Sequence, residues 1–219
     1  MYDAGFGVVR GLVRADEIHE LLDATSTLGE SAHGVRRLFQ QIPFLLEMAR
    51  TARMVEAVRP FAGDGARPVR ALFFDKNRDA NWKVPWHQDL TIAVSSRCEK
   101  PGYGRWSVKD GELHVQPPVD LLKTMAAIRI HLDDCGETNG PLRVVPGSHK
   151  LGRIPEKNIR ETADRLGEVV CTAGRGDAIV MSPLLLHASS QASEPLHRRV
   201  IHIEYCGGEL PDGLEWAEV

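Results

Sequence analysis

The sequence predicts a mainly β fold with some α, an antiparallel sandwich or barrel carrying N-terminal helices on one outer face. Three observations predict it. Helical apolar spacing is confined to the first third of the chain, and from Pro68 onward the chain breaks into short apolar or β-branched runs. Those runs are joined by turn residues instead of stretches long enough for crossover helices.

Asp16 and Glu17 followed by Ile18, Leu21 and Leu22 give an acidic first turn and helical spacing, so a helix is expected there. Phe44, Leu45, Met48, Met54, Val55 and Val58 predict one or two more, ending before Pro60. Strands are expected over residues 69–74, 84–94, 125–132, 142–145, 168–172, 178–181, 184–187 and 198–205. Turn chemistry separates them at Asn139-Gly140-Pro141, Pro146-Gly147-Ser148 and Gly174-Arg175-Gly176-Asp177. Residues 95–123 hold Gly102, Gly104, Pro117 and Pro118 without a clear period, and are expected to form a long functional loop. With no repeat and no linker-like stretch, a single domain over residues 1–219 is expected.

Composition narrows the function classes. At 42% hydrophobic and 26% charged residues, a chain of 219 residues buries an ordinary core, which excludes disorder. A formal charge of -3 leaves no cationic excess for a nucleic-acid backbone. Asp3, Arg10, Arg14 and Asp16 interrupt any N-terminal apolar region, and no stretch approaches the roughly 20 apolar residues of a bilayer span. Cys98, Cys135, Cys171 and Cys206 form no CxxC pair, so reduced thiols and a cytoplasmic location are expected, with no membrane partner.

The chemistry begins at Trp86-His87-Gln88-Asp89. In a strand His87 and Asp89 project from one face, and an imidazole beside a carboxylate supplies two ligands of a 2-His-1-carboxylate iron site. A third ligand must come from another strand. His187 closes the apolar run Leu184-Leu185-Leu186, where a buried strand would end at a barrel mouth, and Arg198 follows eleven residues later with a fork suited to a carboxylate. The other histidines read otherwise. His19, His33, His114 and His197 are expected at the surface, His149 as a turn support, and His131 and His202 as core or pocket-wall residues.

His87-x-Asp89, His187 and Arg198, with Asn139-Gly140-Pro141-Leu142 and Pro146-Gly147-Ser148-His149, closely resemble the phytanoyl-CoA dioxygenase family of Fe(II)/2-oxoglutarate oxygenases, over nearly the whole chain. The resemblance implies a double-stranded β-helix, the cupin-like jelly roll. In it His87, Asp89 and His187 hold Fe(II), and Arg198 pairs with the distal carboxylate of 2-oxoglutarate. It further implies that O2 is consumed, succinate and CO2 are released and a small-molecule substrate is hydroxylated; retention of Asp89 favours hydroxylation over halogenation. Trp106 is expected as the aromatic wall beside the cosubstrate, Lys76 as a contact to an anionic group, and Arg36 or Arg37 as further contacts. Trp82 and Trp86 would shape the entrance.

Strand parity separates Arg198 from its neighbour: Arg198 shares a face with Val200, His202 and Glu204, and Arg199 with Ile201, Ile203 and Tyr205. Two other classes fit part of the pattern. A zinc-type hydrolase would need a general base, for which Glu204 and Asp133 are the nearby acids. A cupin-like metal-binding module without turnover would have little use for Arg198.

Overall fold

A computed structural model describes residues 2–28 and 34–219. The chain runs through β1 (Phe6–Val9), α1 (Ala15–Ser26), α2 (Leu38–Gln41), α3 (Pro43–Ala49), α4 (Ala52–Ala62), β2 (Arg67–Lys76), β3 (Val84–His87) and β4 (Ile92–Val94). It continues through β5 (Gly104–Lys109), β6 (Glu112–Gln116), α5 (Val119–Leu122), β7 (Met125–His131), β8 (Leu142–Val144), α6 (Ile159–Leu166), β9 (Val169–Cys171), β10 (Ala178–Met181), β11 (His187–Ser189) and β12 (Arg198–Cys206). Every paired strand is antiparallel, in a five-stranded sheet ordered β1-β10-β7-β12-β2, a four-stranded sheet β3-β11-β8-β9 and a three-stranded sheet β4-β6-β5.

The period of two along β7, β10 and β12 divides the five-stranded sheet into two working faces. Ile128, Ile130, Ala178, Val180, Ile201, Ile203 and Tyr205 point to α1, α3 and α4, forming the largest apolar cluster with Ile18, Leu21, Leu45, Met54 and Val58. Tyr205 is fully buried there, and its hydroxyl donates to the Ala49 carbonyl at 2.9 Å, closing α3 onto the sheet. The expected outer layer of N-terminal helices is therefore present. On the opposite face Ala127, Ile179 and Met181 meet Leu142, Val144 and Cys171 of the facing sheet, with Leu185 from the segment before β11. That contact fills one end of the sandwich with aliphatic side chains and leaves the other end open.

Several sequence expectations change. Residues 84–94 form two strands, because the chain leaves β3 after His87 and re-enters a sheet at Ile92. Leu184, Leu185 and Leu186 are buried but precede the strand, so His187 opens β11 instead of closing it. The helix at 52–62 passes through Pro60, which sits in its last turn and removes only one backbone bond; Gly63, with φ of +77°, ends it. Residues 95–123 are not a long loop, since they carry β5, β6 and α5. The missed signal is Asp110-Gly111, whose φ values of 49° and 77° form a two-residue hairpin turn between the paired residues Lys109 and Glu112. β1, pairing with β10 at the sheet edge, was also not anticipated. No helix among the described residues is long and apolar enough to cross a membrane. All four cysteines are free, and three of them are buried.

Candidate active site

β3 and β11 pair so that His87 and His187 stand directly opposite each other. Their ring centroids lie 4.1 Å apart, and Asp89, just beyond β3, places its carboxylate 3.6 Å from His87 Nε2 and 3.5 Å from His187 Nε2. One ligand atom from each of the three lies within 4.8 Å of the others. Each Nδ1 is occupied by a backbone carbonyl at 2.9 Å, Pro85 for His87 and Leu185 for His187. A carbonyl can only accept, so Nδ1 carries the proton and the Nε2 lone pair of each ring is left for a metal.

Charge states agree with that donor set. Burial pushes His187 down to about 4, outweighing the opposing pull of Asp89, so the imidazole is neutral near pH 7. Burial works against ionisation of Asp89, but His187 and His87 outweigh it and hold the carboxyl below the ordinary range. Two imidazole Nε2 lone pairs and one carboxylate fit a divalent iron with open positions.

Gln88, between His87 and Asp89, points the other way and fixes both. Its Nε2 donates to the Gly152 and Leu184 carbonyls at 2.8 and 2.6 Å, and its Oε1 accepts from the Ile154 N–H at 2.8 Å. The Asp89 N–H donates to Pro183 at 2.9 Å. The segment carrying His87 and Asp89 is thus tied to the one that leads into His187.

The triad opens into a pocket of about 480 Å³ between the two large sheets, lined in part by Leu72, Phe74, Trp82, Arg129, Arg198 and His202. Arg198 is 4% exposed; its Nη1 donates to the Gly140 carbonyl, and its Nε is buried without a partner. Lys76 is its cross-strand partner, 1% exposed, with Nζ donating to Ser189 Oγ at 2.9 Å and to the Ser190 carbonyl at 3.1 Å. Burial, followed by the Arg198 and Arg129 charges, pushes the lysine down to about 7. Arg199 lies on the other face and binds Asp133 through its backbone N–H and Nε, both at 2.9 Å, and Nη2 at 2.6 Å.

The remaining expected residues divide. Trp82 and Arg36 reach the pocket, but Arg36 is already paired with Asp110 at 2.8 Å. Arg37 is exposed at the start of α2. Trp106 requires a correction: it lies in β5, half-buried in the apolar cluster behind β4 and β6, with Arg97 5.3 Å over its ring, and does not line the pocket. The reason is the hairpin that replaces the expected loop. Trp86 also turns away, packing beside Ile154 and Leu186 under Arg143.

His19 and His197 are exposed, the latter paired with Asp75 at 2.9 Å, and His33 lies outside the described residues. His114 is not at the surface. It is 1% exposed in β6, where Nε2 meets Glu112 Oε2 at 3.1 Å. His114 and Arg70 outweigh burial and hold the Glu112 carboxyl at about 2. Sequence reasoning missed Arg70, Glu112 and Arg129. Arg70 joins Glu112 at 2.5 Å and Glu204 at 3.0 Å at the pocket end away from Arg198. The available signal was a charged residue on the inward face of an otherwise apolar strand.

Comparisons with known proteins bear on this arrangement. A family model described as phytanoyl-CoA dioxygenase matches residues 1–200. An ectoine dioxygenase from Sphingopyxis alaskensis is 24% identical over 240 residues, covering 92% of this chain and 72% of its own. The structure of EctD from S. alaskensis with 2-oxoglutarate and 5-hydroxyectoine superposes with a TM-score of 0.71 at 23% identity, covering 93% of this chain and 72% of that one. HygX from Streptomyces hygroscopicus with nickel and 2-oxoglutarate bound gives 0.67 at 17% identity, covering 94% and 84%. The jelly-roll fold is shared with both structures, and the match over residues 1–200 shows that the chain belongs to the phytanoyl-CoA dioxygenase family of Fe(II)- and 2-oxoglutarate-dependent oxidoreductases.

Proposed function

We propose that the chain acts as a single catalytic domain over residues 1–219, a dioxygenase that hydroxylates a small-molecule substrate with His87, Asp89 and His187 as the iron ligands. The observation that carries this reading is the pair of Nε2 atoms and the carboxylate within 4.8 Å, opening into a pocket that also holds a buried arginine. Iron with 2-oxoglutarate and O2 would supply an oxidation that releases succinate and CO2 and adds one oxygen atom to the substrate.

The residues of the chain do the rest. Arg198 offers its unpaired Nε and guanidinium fork to the distal carboxylate, while Lys76, steadied by Ser189, adds a donor at the same end. Phe74, Leu72 and Trp82 wall the cavity and exclude water from the reacting carbon. The hydrolase alternative lacks a base, because Glu204 is bound to Arg70 and Asp133 to Arg199. Free cysteines fit a reducing compartment, on which ground we place the protein in the cytoplasm.

Anaerobic titration of the Fe(II)-loaded protein with 2-oxoglutarate tests the reading. A visible metal-to-ligand charge-transfer band, followed by succinate on admission of O2, is expected. Bound iron with no band and no affinity for 2-oxoglutarate would overturn it.

A further inference from the structure

At the pocket end away from Arg198, the lining passes to Thr91 and to Lys109 and His114 of the β5–β6 hairpin. Glu204, which lines this end, is six residues from Arg198 along β12, about 20 Å at the backbone, so a cosubstrate held by Arg198 leaves the space beside it open. Three cations line that space: Arg36, Arg70 and Lys109. The acids around them are engaged by the two arginines, Glu112 and Glu204 by Arg70 at 2.5 and 3.0 Å and Asp110 by Arg36 at 2.8 Å. Among the described residues Lys109 pairs with no carboxylate, and its Nζ donates to Thr91 Oγ1 at 3.1 Å.

The hydrogen bonds run one way from that lysine. Glu112 is ionised, so it accepts from His114 Nε2 at 3.1 Å, and burial keeps the imidazole below its ordinary range and neutral. With its proton on Nε2, His114 has only an acceptor at Nδ1, which lies 3.4 Å from Thr91 Oγ1 and takes the hydroxyl proton. Thr91 then accepts from Lys109, and the ammonium is aimed by a chain that ends on a buried carboxylate. An ammonium has three N–H donors, and this chain uses one. Lys109 is exposed at the mouth, yet burial of its ammonium, followed by the Arg70 charge, pulls it below the usual lysine range, a cost that an anion would offset.

We propose that Lys109 is a specificity-determining residue that binds a carboxylate of the primary substrate, which is a small organic acid. The assignment rests on the dioxygenase reading above. Two free donors and one positive charge match the two oxygens and single charge of a carboxylate. Thr91 is two residues beyond Asp89, at most about 7 Å of chain, so a short skeleton anchored on Lys109 reaches the triad. A pocket of about 480 Å³ shared with 2-oxoglutarate also admits only a small second molecule. Thr91, His114 and Glu112 act through Lys109 as positioning residues.

The test uses the Fe(II)-loaded protein saturated with 2-oxoglutarate, without O2, and three probes of one length: pentanoate, pentanamide and pentylammonium. Binding is read from the broadening of probe proton resonances by the iron, with the charge-transfer band showing that 2-oxoglutarate stays bound. Pentanoate is expected to bind about tenfold or more tightly than either other probe, with its methyl end broadened most. Lys109→Gln should bring pentanoate to the level of pentanamide while iron content and 2-oxoglutarate affinity stay within about twofold of the parent. Lys109→Arg should keep the preference, and Thr91→Val, which removes the acceptor that aims the ammonium, should weaken pentanoate without changing pentanamide. Equal binding of the three probes by the parent, a preference for pentylammonium, a preference for pentanoate that survives Lys109→Gln, or loss of 2-oxoglutarate in that variant would each overturn the assignment alone. Failure of the iron-loaded parent to bind 2-oxoglutarate would overturn the dioxygenase reading and the assignment with it.

Discussion

Arg198 and Arg199 are adjacent in sequence and sit on opposite faces of β12, one in the pocket and the other bound to Asp133 outside it. Arg198→Gln should leave iron bound and weaken 2-oxoglutarate by about thirty-fold or more, read by calorimetry. Arg199→Ala should leave that affinity alone and cost about 1 kcal/mol through the partly exposed Asp133 pair, a fall in Tm of about 2–4 °C. The reverse result would mean that the pocket face is the other one. Among the histidines, His187→Ala should lose iron by metal analysis, as should His87→Ala and Asp89→Ala. His149→Ala and His197→Ala should not, because neither ring approaches the triad. Parity made the faces of β12 legible from sequence, and the His-x-Asp spacing made two candidate ligands legible. Arg129 and Glu112 were not, because their partners, His202 and Arg70, come from strands remote in the chain.

At the scale of elements, the β5–β6 hairpin shows how a strong local signal was outweighed by breakers around it. Gly102, Gly104, Pro117 and Pro118 suggested a loop, yet Asp110-Gly111 sets a two-residue turn that pairs the strands on either side. Gly111 has φ of +77° and open space around its missing side chain, so Gly111→Ala should destabilise through backbone strain alone. The expected cost is about 1 kcal/mol, measurable as a Tm lowered by about 2–4 °C.

The edge strand β2 is managed differently. Val35 bridges Phe73 with hydrogen bonds of 2.8 and 2.9 Å, and the Glu218 carboxylate accepts from the Ala71 N–H at 3.3 Å. Burial, against the pull of the Ala71 hydrogen bond, pushes that carboxyl up to about 7. Between the ordinary carboxylate range and pH 7 the folded chain holds a proton there that the unfolded chain has lost. The stabilising contribution is full at low pH and falls away as pH rises through 7. Glu218→Gln should flatten the dependence of stability on pH across that window, measured by urea unfolding at several pH values; an unchanged slope would refute the assignment.

Across the whole molecule, one sandwich end is packed with aliphatic side chains and the other holds a pocket of about 480 Å³, with Arg198 buried in its wall and Lys76 buried beside it. Ligands that bind only the folded state should therefore raise Tm strongly. Metal-loaded protein with 2-oxoglutarate at about 100 times its Kd should gain about 2.7 kcal/mol, or about 5–10 °C, and Arg198→Gln should lose most of that increment.

The Gln88 tether has a consequence for metal identity. Gln88 ties together the segments that carry the candidate ligands, so the spacing of their donor atoms is set by the hydrogen bonds of the chain, and those bonds do not depend on which ion is bound. Selection then falls to the intrinsic order of divalent affinities, in which nickel, copper and zinc all outrank iron. Protein isolated without supplied iron should carry those metals in elemental analysis and remain idle until chelated and reloaded, so supply in the cell, more than the site itself, decides whether it works.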